Sequence, residues 1–431
     1  MRIVHDTSGP GEAAALRFPP RTLATIVLAN ALEFLDYFSY ATFSAFITAA
    51  FLPQATHAYA SLLSLGAFAA GFLSRPIGAF LIGTYADTRG RKPALLLTSA
   101  LVTAGTLGLA AIPGYATLGI CAPIAVLACR ILQGIAIGGE MGSSSALLIE
   151  HCSSARKNTY AGWLMAGQGL ALMMAGACGI ALHGLLTSAQ MAQWGWRVPF
   201  ALASALIPVQ IYLRRHIDEN WHEPRGRLPL ATMVTRHRRQ WLIAIVLIFG
   251  GTVPTYVATY TTTFGIGSAR PSAYAAFMTT AAVGAVTFVL SLAGGRLGDR
   301  FGPLRTIVLS RLLTMAVVLP AFHFAQVRPD ATTLLVVVAL FAGLSALGGG
   351  PSIVAILEMF PVRGRAVAMS LAYAVSVALF GGTAPLVVAS LDLWTGTHVA
   401  AAWYIFVSGA ITVLTIVSVR VPRPGNVPAG R

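Results

Sequence analysis

Gly83-Thr-Tyr-Ala-Asp87-Thr-Arg-Gly90-Arg91-Lys92 and, in the second half of the chain, Gly295-Arg-Leu-Gly-Asp299-Arg-Phe-Gly302-Pro-Leu-Arg305 share one pattern: Gly-x-x-x-Asp-x-x-Gly followed by base. A second pair of stretches repeats in the same order, Glu150 with Arg156 and Lys157, then Glu358 with Arg363 and Arg365. Each stretch closes a long apolar run. An internal repeat of this kind describes a chain built as two similar halves.

The chain of 431 residues is 56% hydrophobic and 10% charged. Soluble domains carry about 25% charged residues, so the solvent here is lipid. In hydrocarbon every backbone polar group must be satisfied within the fold, which leaves helices or a closed barrel. A spanning helix needs ~20 apolar residues. The apolar runs meet that length and do not alternate, which excludes a barrel. They fall at 22–51, 59–86, 94–112, 119–149, 158–184, 198–213, 241–263, 272–295, 304–325, 332–357, 365–390 and 398–419.

Twelve runs put both termini on one side. Of the 29 Lys and Arg, Arg197, Arg270 and Arg328 fall on the other side and Arg75 and Arg130 inside runs; all the others, Arg311 included, are assigned to the terminal side. That asymmetry makes the terminal side cytoplasmic. It also accounts for the net charge of +15 without nucleic acid. The polar stretch 214–240 reads as a cytoplasmic linker between six-helix bundles at 22–213 and 241–419, with cytoplasmic tails at 1–21 and 420–431. The first 20 residues lack the order of a secretory signal. Cys121, Cys129, Cys152 and Cys178 have neither disulfide nor metal spacing and read as small buried thiols.

The loops at 83–92 and 295–305 resemble the loop motif of the major facilitator superfamily, and Arg130-Ile-Leu-Gln133-Gly134 resembles its fourth-helix motif. Within that superfamily the chain is similar to the metabolite:proton symporters. The residues that carry this are Asn30-Ala-Leu-Glu33-Phe-Leu-Asp36-Tyr37-Phe38, Arg75-Pro76-Ile-Gly78, Gly138-Gly139-Glu140, Trp194-Gly-Trp-Arg197-Val-Pro199-Phe200 and Gly381-Gly382-Thr-Ala-Pro385. Thr252-Val-Pro-Thr-Tyr256-Val-Ala-Thr-Tyr260 with Gln168 resembles the citrate and tricarballylate branch most. The resemblance implies an all-α membrane protein with twelve transmembrane helices in two pseudo-symmetric six-helix bundles. It implies a monomer of the bacterial inner membrane that takes up a small organic acid with protons.

Ionisable groups inside a membrane are costly, so each demands an account. Those inside the runs are Glu33, Asp36, Arg75, Arg130 and Glu140. Glu33 lies about 16 Å into the first run, with Asn30 and Tyr37 on the same helical face. Glu33 and Asp36 cannot both ionise cheaply in a low dielectric, which suits proton coupling; a static network with Arg75 is the competing reading. Glu140, between glycines, either carries a proton or bonds a neighbouring helix. Arg130 stays charged and must meet an anion, either a substrate carboxylate or an intramembrane acid. Arg75 lines the cavity or forms a structural pair. Arg75 and Arg130 are the bases read as deep enough to supply fixed positive charge.

Tyr256, Thr259, Tyr260 and Thr263 form a polar stripe on the seventh run, either for a polyoxygenated solute or for helix–helix bonding. Gln133, Gln168 and Tyr373 complete the candidate substrate contacts. Asp87, Arg91, Arg156, Asp299, Arg300 and Arg365 form a rim set. There Asp87 and Asp299 are expected to latch onto basic residues of neighbouring loops, such as Arg156, Lys157, Arg363 or Arg365, in one state of a gate.

The phosphate-binding Gly-x-x-x-x-Gly-Lys-[Ser/Thr] pattern is absent, and no His/Cys cluster implies a metal, so neither cofactor nor enzymatic chemistry is expected. The fifth run lacks the Gly-Pro-rich pattern of superfamily antiporters, which favours symport. The competing functions are uptake of a zwitterion such as betaine or proline, and a non-transporting membrane sensor.

Overall fold

The computed structural model describes residues 20–51, 70–89, 91–150, 152–205, 235–265, 272–361, 365–397 and 399–418. The two tails, most of the 214–240 linker and parts of the second and sixth runs lie outside the described residues. So do the side chains of Asp87, Arg91 and Thr263, and residue Arg363.

All regular structure among the described residues is helical. The elements are α1 (Pro20–Thr42), α2 (Arg75–Arg89), α3 (Arg91–Ala111), α4 (Cys121–Glu150), α5 (Lys157–Leu185), α6 (Val198–Ala205), α7 (Arg238–Phe264), α8 (Ala273–Phe301), α9 (Pro303–Val327), α10 (Ala331–Ala346), α11 (Arg365–Ser376) and α12 (Val399–Ser418). Eight stretches among the described residues are long and apolar enough to cross a membrane.

Three runs expected to be continuous are interrupted. The first turns at Phe43 and resumes as Ser44–Phe51; the tenth breaks after Ala346 and resumes at Gly349–Met359. The eleventh widens into a π turn at Val377–Gly381 before Ala384–Thr395. In the tenth the break falls at Leu347 and Gly348, at the head of the Gly348-Gly-Gly350 triplet, and glycine costs about 1 kcal/mol relative to alanine in a helix. The four cysteines are free, but none is buried: Cys121 is exposed at the start of α4, which corrects the expected burial.

Starts are fixed by side-chain caps that satisfy otherwise orphaned amides. Ser272 accepts from Ala275 N at 3.2 Å ahead of α8, and Asp330 from Thr333 N at 2.9 Å ahead of α10. Pro303 occupies the first position of α9, where no amide donor is needed.

Without a hydrophobic drive between helices, close packing needs small residues. The echo between halves is visible here. A Cβ at Gly78 of α2 would sit 1.9 Å from Ile135 O of α4, and one at Gly294 of α8 would sit 2.0 Å from Leu347 O beside α10. The same device joins the halves: a Cβ at Gly176 of α5 would lie 2.4 Å from Ala281 N of α8, and one at Gly284 of α8 would lie 2.3 Å from Met173 N of α5. α5 and α8 therefore run with their backbones in contact and form the seam between the halves.

Candidate functional site

A cavity of about 160 Å³ opens between the halves. On one side it is lined by Phe34, Phe38 and Thr42 of α1, Met141 of α4, and Met165, Gln168 and Leu172 of α5. Facing them are Thr252, Thr255, Tyr256, Thr259 and Thr262 of α7 and Thr280, Thr287 and Ser291 of α8. Arg311 of α9, Ser345 of α10 and Tyr373 of α11 complete the polar wall. The spacing along α7 and α8 is helical, so each presents one hydroxylated stripe.

Many of these hydroxyls donate back to their own helix. Thr255 Oγ1 donates to Gly251 O at 2.9 Å, Thr259 Oγ1 to Thr255 O at 3.0 Å, Thr262 Oγ1 to Thr259 O at 2.7 Å and Thr280 Oγ1 to Ala276 O at 2.8 Å. Their protons being spent, they face a solute chiefly as acceptors.

Of the predicted substrate contacts, Gln168, Tyr256 and Tyr373 line this cavity. Asn30, Tyr37, Arg75, Arg130 and Gln133 are buried behind it, and Tyr260 is half-buried on α7 away from the lining. Arg75 stacks over Phe72 at 4.1 Å and Tyr37 at 5.0 Å. Arg75 is not among the residues that line the cavity.

Arg130 enters a hydrogen-bonded chain instead. Its Nη1 donates to Gln133 Oε1 at 2.8 Å, and Gln133 Nε2 donates to Asp36 Oδ2 at 2.5 Å and to Thr106 Oγ1 at 3.3 Å. The guanidinium lies 4.0 Å over the Tyr40 ring, a placement that favours a desolvated cation. α1, α3 and α4 are thus tied by one buried polar network. This geometry joins Arg130 to the Asp36 carboxylate through Gln133. Glu33 and Glu140 are buried at 3% and 5% exposure on α1 and α4.

Arg311 is the residue that sequence reasoning misplaced. Reckoned among the terminal-side bases, it is buried at 1% exposure within α9 and opens onto the cavity. Eight positions beyond Pro303, it stands about 12 Å along the helix. The expectation that depth is confined to Arg75 and Arg130 is therefore corrected. Its signal was present: a lone arginine inside an apolar run, opposite the serine and glycines of the next helix.

At the rim, among the described residues, Asp299 of α8 meets amides and a hydroxyl rather than the expected base. Oδ1 accepts from Asn158 N at 2.9 Å and Asn158 Nδ2 at 3.1 Å; Oδ2 accepts from Thr159 N at 3.1 Å and Thr159 Oγ1 at 2.5 Å. The carboxylate caps the start of α5, where free amides and the helix dipole favour an anion. Lys157, beside it on α5, goes to Glu358 at 2.9 Å. Arg365 Nε donates to Phe360 O at 3.4 Å, Arg300 lies 5.2 Å over Phe301, and Arg156 is exposed.

At the opposite end of the cavity Phe43 meets Phe277 at 5.1 Å and His183 meets Tyr274 at 5.6 Å between ring centroids. The halves touch at both ends.

The Major Facilitator Superfamily profile matches residues 30–293, and a profile described as "Sugar (and other) transporter" matches residues 214–424. A citrate-proton symporter of Salmonella typhi is 31% identical over 87% of this chain and 88% of its own length. An alpha-ketoglutarate permease of Escherichia coli is 33% identical over 92% of each. A proline/betaine transporter of Salmonella typhimurium is 26% identical over 95% of this chain and 86% of its own. Among solved structures, a proton:xylose symporter superposes with a TM-score of 0.76 at 17% identity, covering 93% of this chain and 96% of that one. A fucose:proton symporter of E. coli gives 0.67 at 14% identity, covering 91% and 96%.

Proposed function

Since this chain belongs to the major facilitator superfamily, we propose that it is a proton-coupled symporter that takes up a small organic acid, citrate or a related di- or tricarboxylate, by alternating access. The observation that carries the reading is the buried carboxylate of Asp36, tied through Gln133 to Arg130, on the helix whose other face lines the cavity with Phe34 and Phe38. Protonating Asp36 removes the charge that holds this network. α1 is then free to shift against α4, and the cavity wall moves with it. Glu33 and Glu140 are the further proton-coupling candidates; Gln168, Tyr256 and Tyr373 contact the solute.

The contacts at the two ends serve as the gates. Asp299 on the α5 start and the Lys157–Glu358 pair close the rim bearing the repeated loops; the Phe43–Phe277 contact closes the other. A solute shifts the equilibrium between these arrangements only through unequal affinity for them. The chain acts as a monomer in the bacterial inner membrane, with both termini and the 214–240 linker cytoplasmic and six helices in each of 22–213 and 241–419. The basic asymmetry supports that orientation.

Reconstitution into liposomes with an imposed pH gradient tests the reading. Uptake of labelled citrate or 2-oxoglutarate, driven by an acidic exterior, is expected. Asp36→Asn and Glu33→Gln should abolish gradient-driven uptake while sparing solute exchange. Betaine uptake in place of acid uptake refutes the substrate class, and gradient-independent accumulation refutes the coupling.

A further inference from the structure

We propose that Arg311 is the anion-binding residue of the cavity and that, with Gln168 across from it, it selects a solute carrying a carboxylate at each end. This rests on the reading of the cavity as the transport site. The guanidinium is fully charged at any relevant pH, so its burial requires compensation. The compensation it has is partial. Nη1 donates to Ser345 Oγ at 2.8 Å and lies 3.4 Å from Ser345 O. Nε has no hydrogen-bond partner, and no ion pair involves Arg311 among the described residues.

The hydrogen bond to Ser345 uses one amino group and leaves the edge formed by Nε and Nη2. That edge is one of the two faces on which arginine takes a carboxylate through parallel hydrogen bonds. Three glycines keep side chains off it. A Cβ at Gly251 would fall 3.0 Å from Nη2, one at Gly348 3.3 Å from Nη2, and one at Gly250 3.2 Å from Nε. Gly250 and Gly251 belong to α7 and Gly348 to the break in the tenth run. The glycine pair of α7 and the break in the tenth run thus converge on one unpaired edge of one buried cation.

The other half supplies a second unpaired donor. Gln168 Nε2 of α5 is buried without a hydrogen-bond partner, and Gln168 lines the same cavity. One charged fork and one amide donor, in opposite halves and separated by hydroxyl acceptors, match a short chain with an anion at each end and a polar middle. The volume agrees in scale: a cavity of ~150 Å³ holds a six-carbon ring. A solute gripped by both donors joins the halves as it binds, and Arg311 makes the stronger grip.

The test is binding to the purified full-length protein in detergent, measured by titration calorimetry and thermal shift with succinate, 2-oxoglutarate and citrate as probes. Succinamide, which lacks the charges, is the neutral control. The variants are Arg311→Lys, Arg311→Gln and Thr259→Trp, the last filling the cavity away from Arg311. Arg311→Gln is expected to weaken acid binding at least 30-fold and Arg311→Lys about 10-fold, with succinamide binding unaltered by either. Thr259→Trp should abolish binding of the acids.

If Thr259→Trp abolishes binding but both Arg311 variants stay within twofold of the parent, the assignment of Arg311 falls and the site stands. If Thr259→Trp binds like the parent, the cavity is not the site and both readings fall. Should Arg311→Gln not fold, the lysine variant and the preference of the parent for succinate over succinamide decide; equal affinity for the two overturns the proposal.

Discussion

Replacing Asp299 with Asn tests the rim contact directly. The carboxylate accepts four hydrogen bonds from Asn158 and Thr159 across the seam between the halves. An asparagine keeps one acceptor oxygen and turns an amino group toward donors where the second oxygen stood. If Oδ1 is kept, the Thr159 N–H and hydroxyl lose their acceptor. Hydrogen bonds to a charged group contribute ~1.5–3 kcal/mol each, and a charge at a helix start ~0.3–1 kcal/mol. The site is only partly buried, so water recovers much of this, and a net loss of about 2 kcal/mol is expected. At ~1.4 kcal/mol per decade, that moves the balance between closed and open rim about 30-fold toward open. The assay is a spin-label distance distribution between the α4–α5 and α8–α9 connections, compared in parent and variant. A population change smaller than threefold, with the protein folded, refutes the rim contact as a determinant of the closed arrangement.

Gly176→Leu should prevent the α5–α8 seam from closing, because its Cβ already meets the α8 backbone at 2.4 Å; loss of monodisperse protein in detergent is expected, whereas Gly184→Leu, with nothing within 4 Å of its Cβ, should behave as the parent. Breaking the Lys157–Glu358 pair, whose side chains are 25% and 15% exposed, should cost ~0–1 kcal/mol and less at high salt, measured as a double-mutant cycle in melting temperature. Asp330, on the connection before α10, is held below the ordinary carboxylate value of 3.8 by hydrogen bonds from the Thr333 amide and hydroxyl. A depressed folded-state value means that its capping contribution is present above the ordinary value and is lost as pH falls through the depressed one. Asp330→Ala should therefore speed hydrogen exchange at the Thr333 amide at neutral pH, and that difference should shrink in strong acid.

The repeated loop motifs, the twelve apolar runs and the intramembrane acids were legible because each is local: hydropathy and helical spacing need only the order of residues. The glycines foretold close packing as well, since a helix pair with touching backbones tolerates little else. Partners were not legible. Gln133 meets Asp36 across 97 positions and Lys157 meets Glu358 across 201, and nothing in either neighbourhood specifies the other.

Arg311 marks the boundary most clearly. The sequence places a base a few turns inside an apolar helix, where it could snorkel to the rim or face inward. The rotation of α9 against α7 and α10 decides between these, because only the packed bundle turns that side chain onto the cavity and strips it of water. Asp299 follows the same logic: a carboxylate beside basic loops seeks the nearest positive field, and among the described residues the fold supplies one in the amide-rich start of α5 rather than in a charged side chain. The sequence alone determined a membrane bundle of two related halves. Which of its buried charges face the solute and which hold the halves together depended on helix rotation and on distances between remote segments.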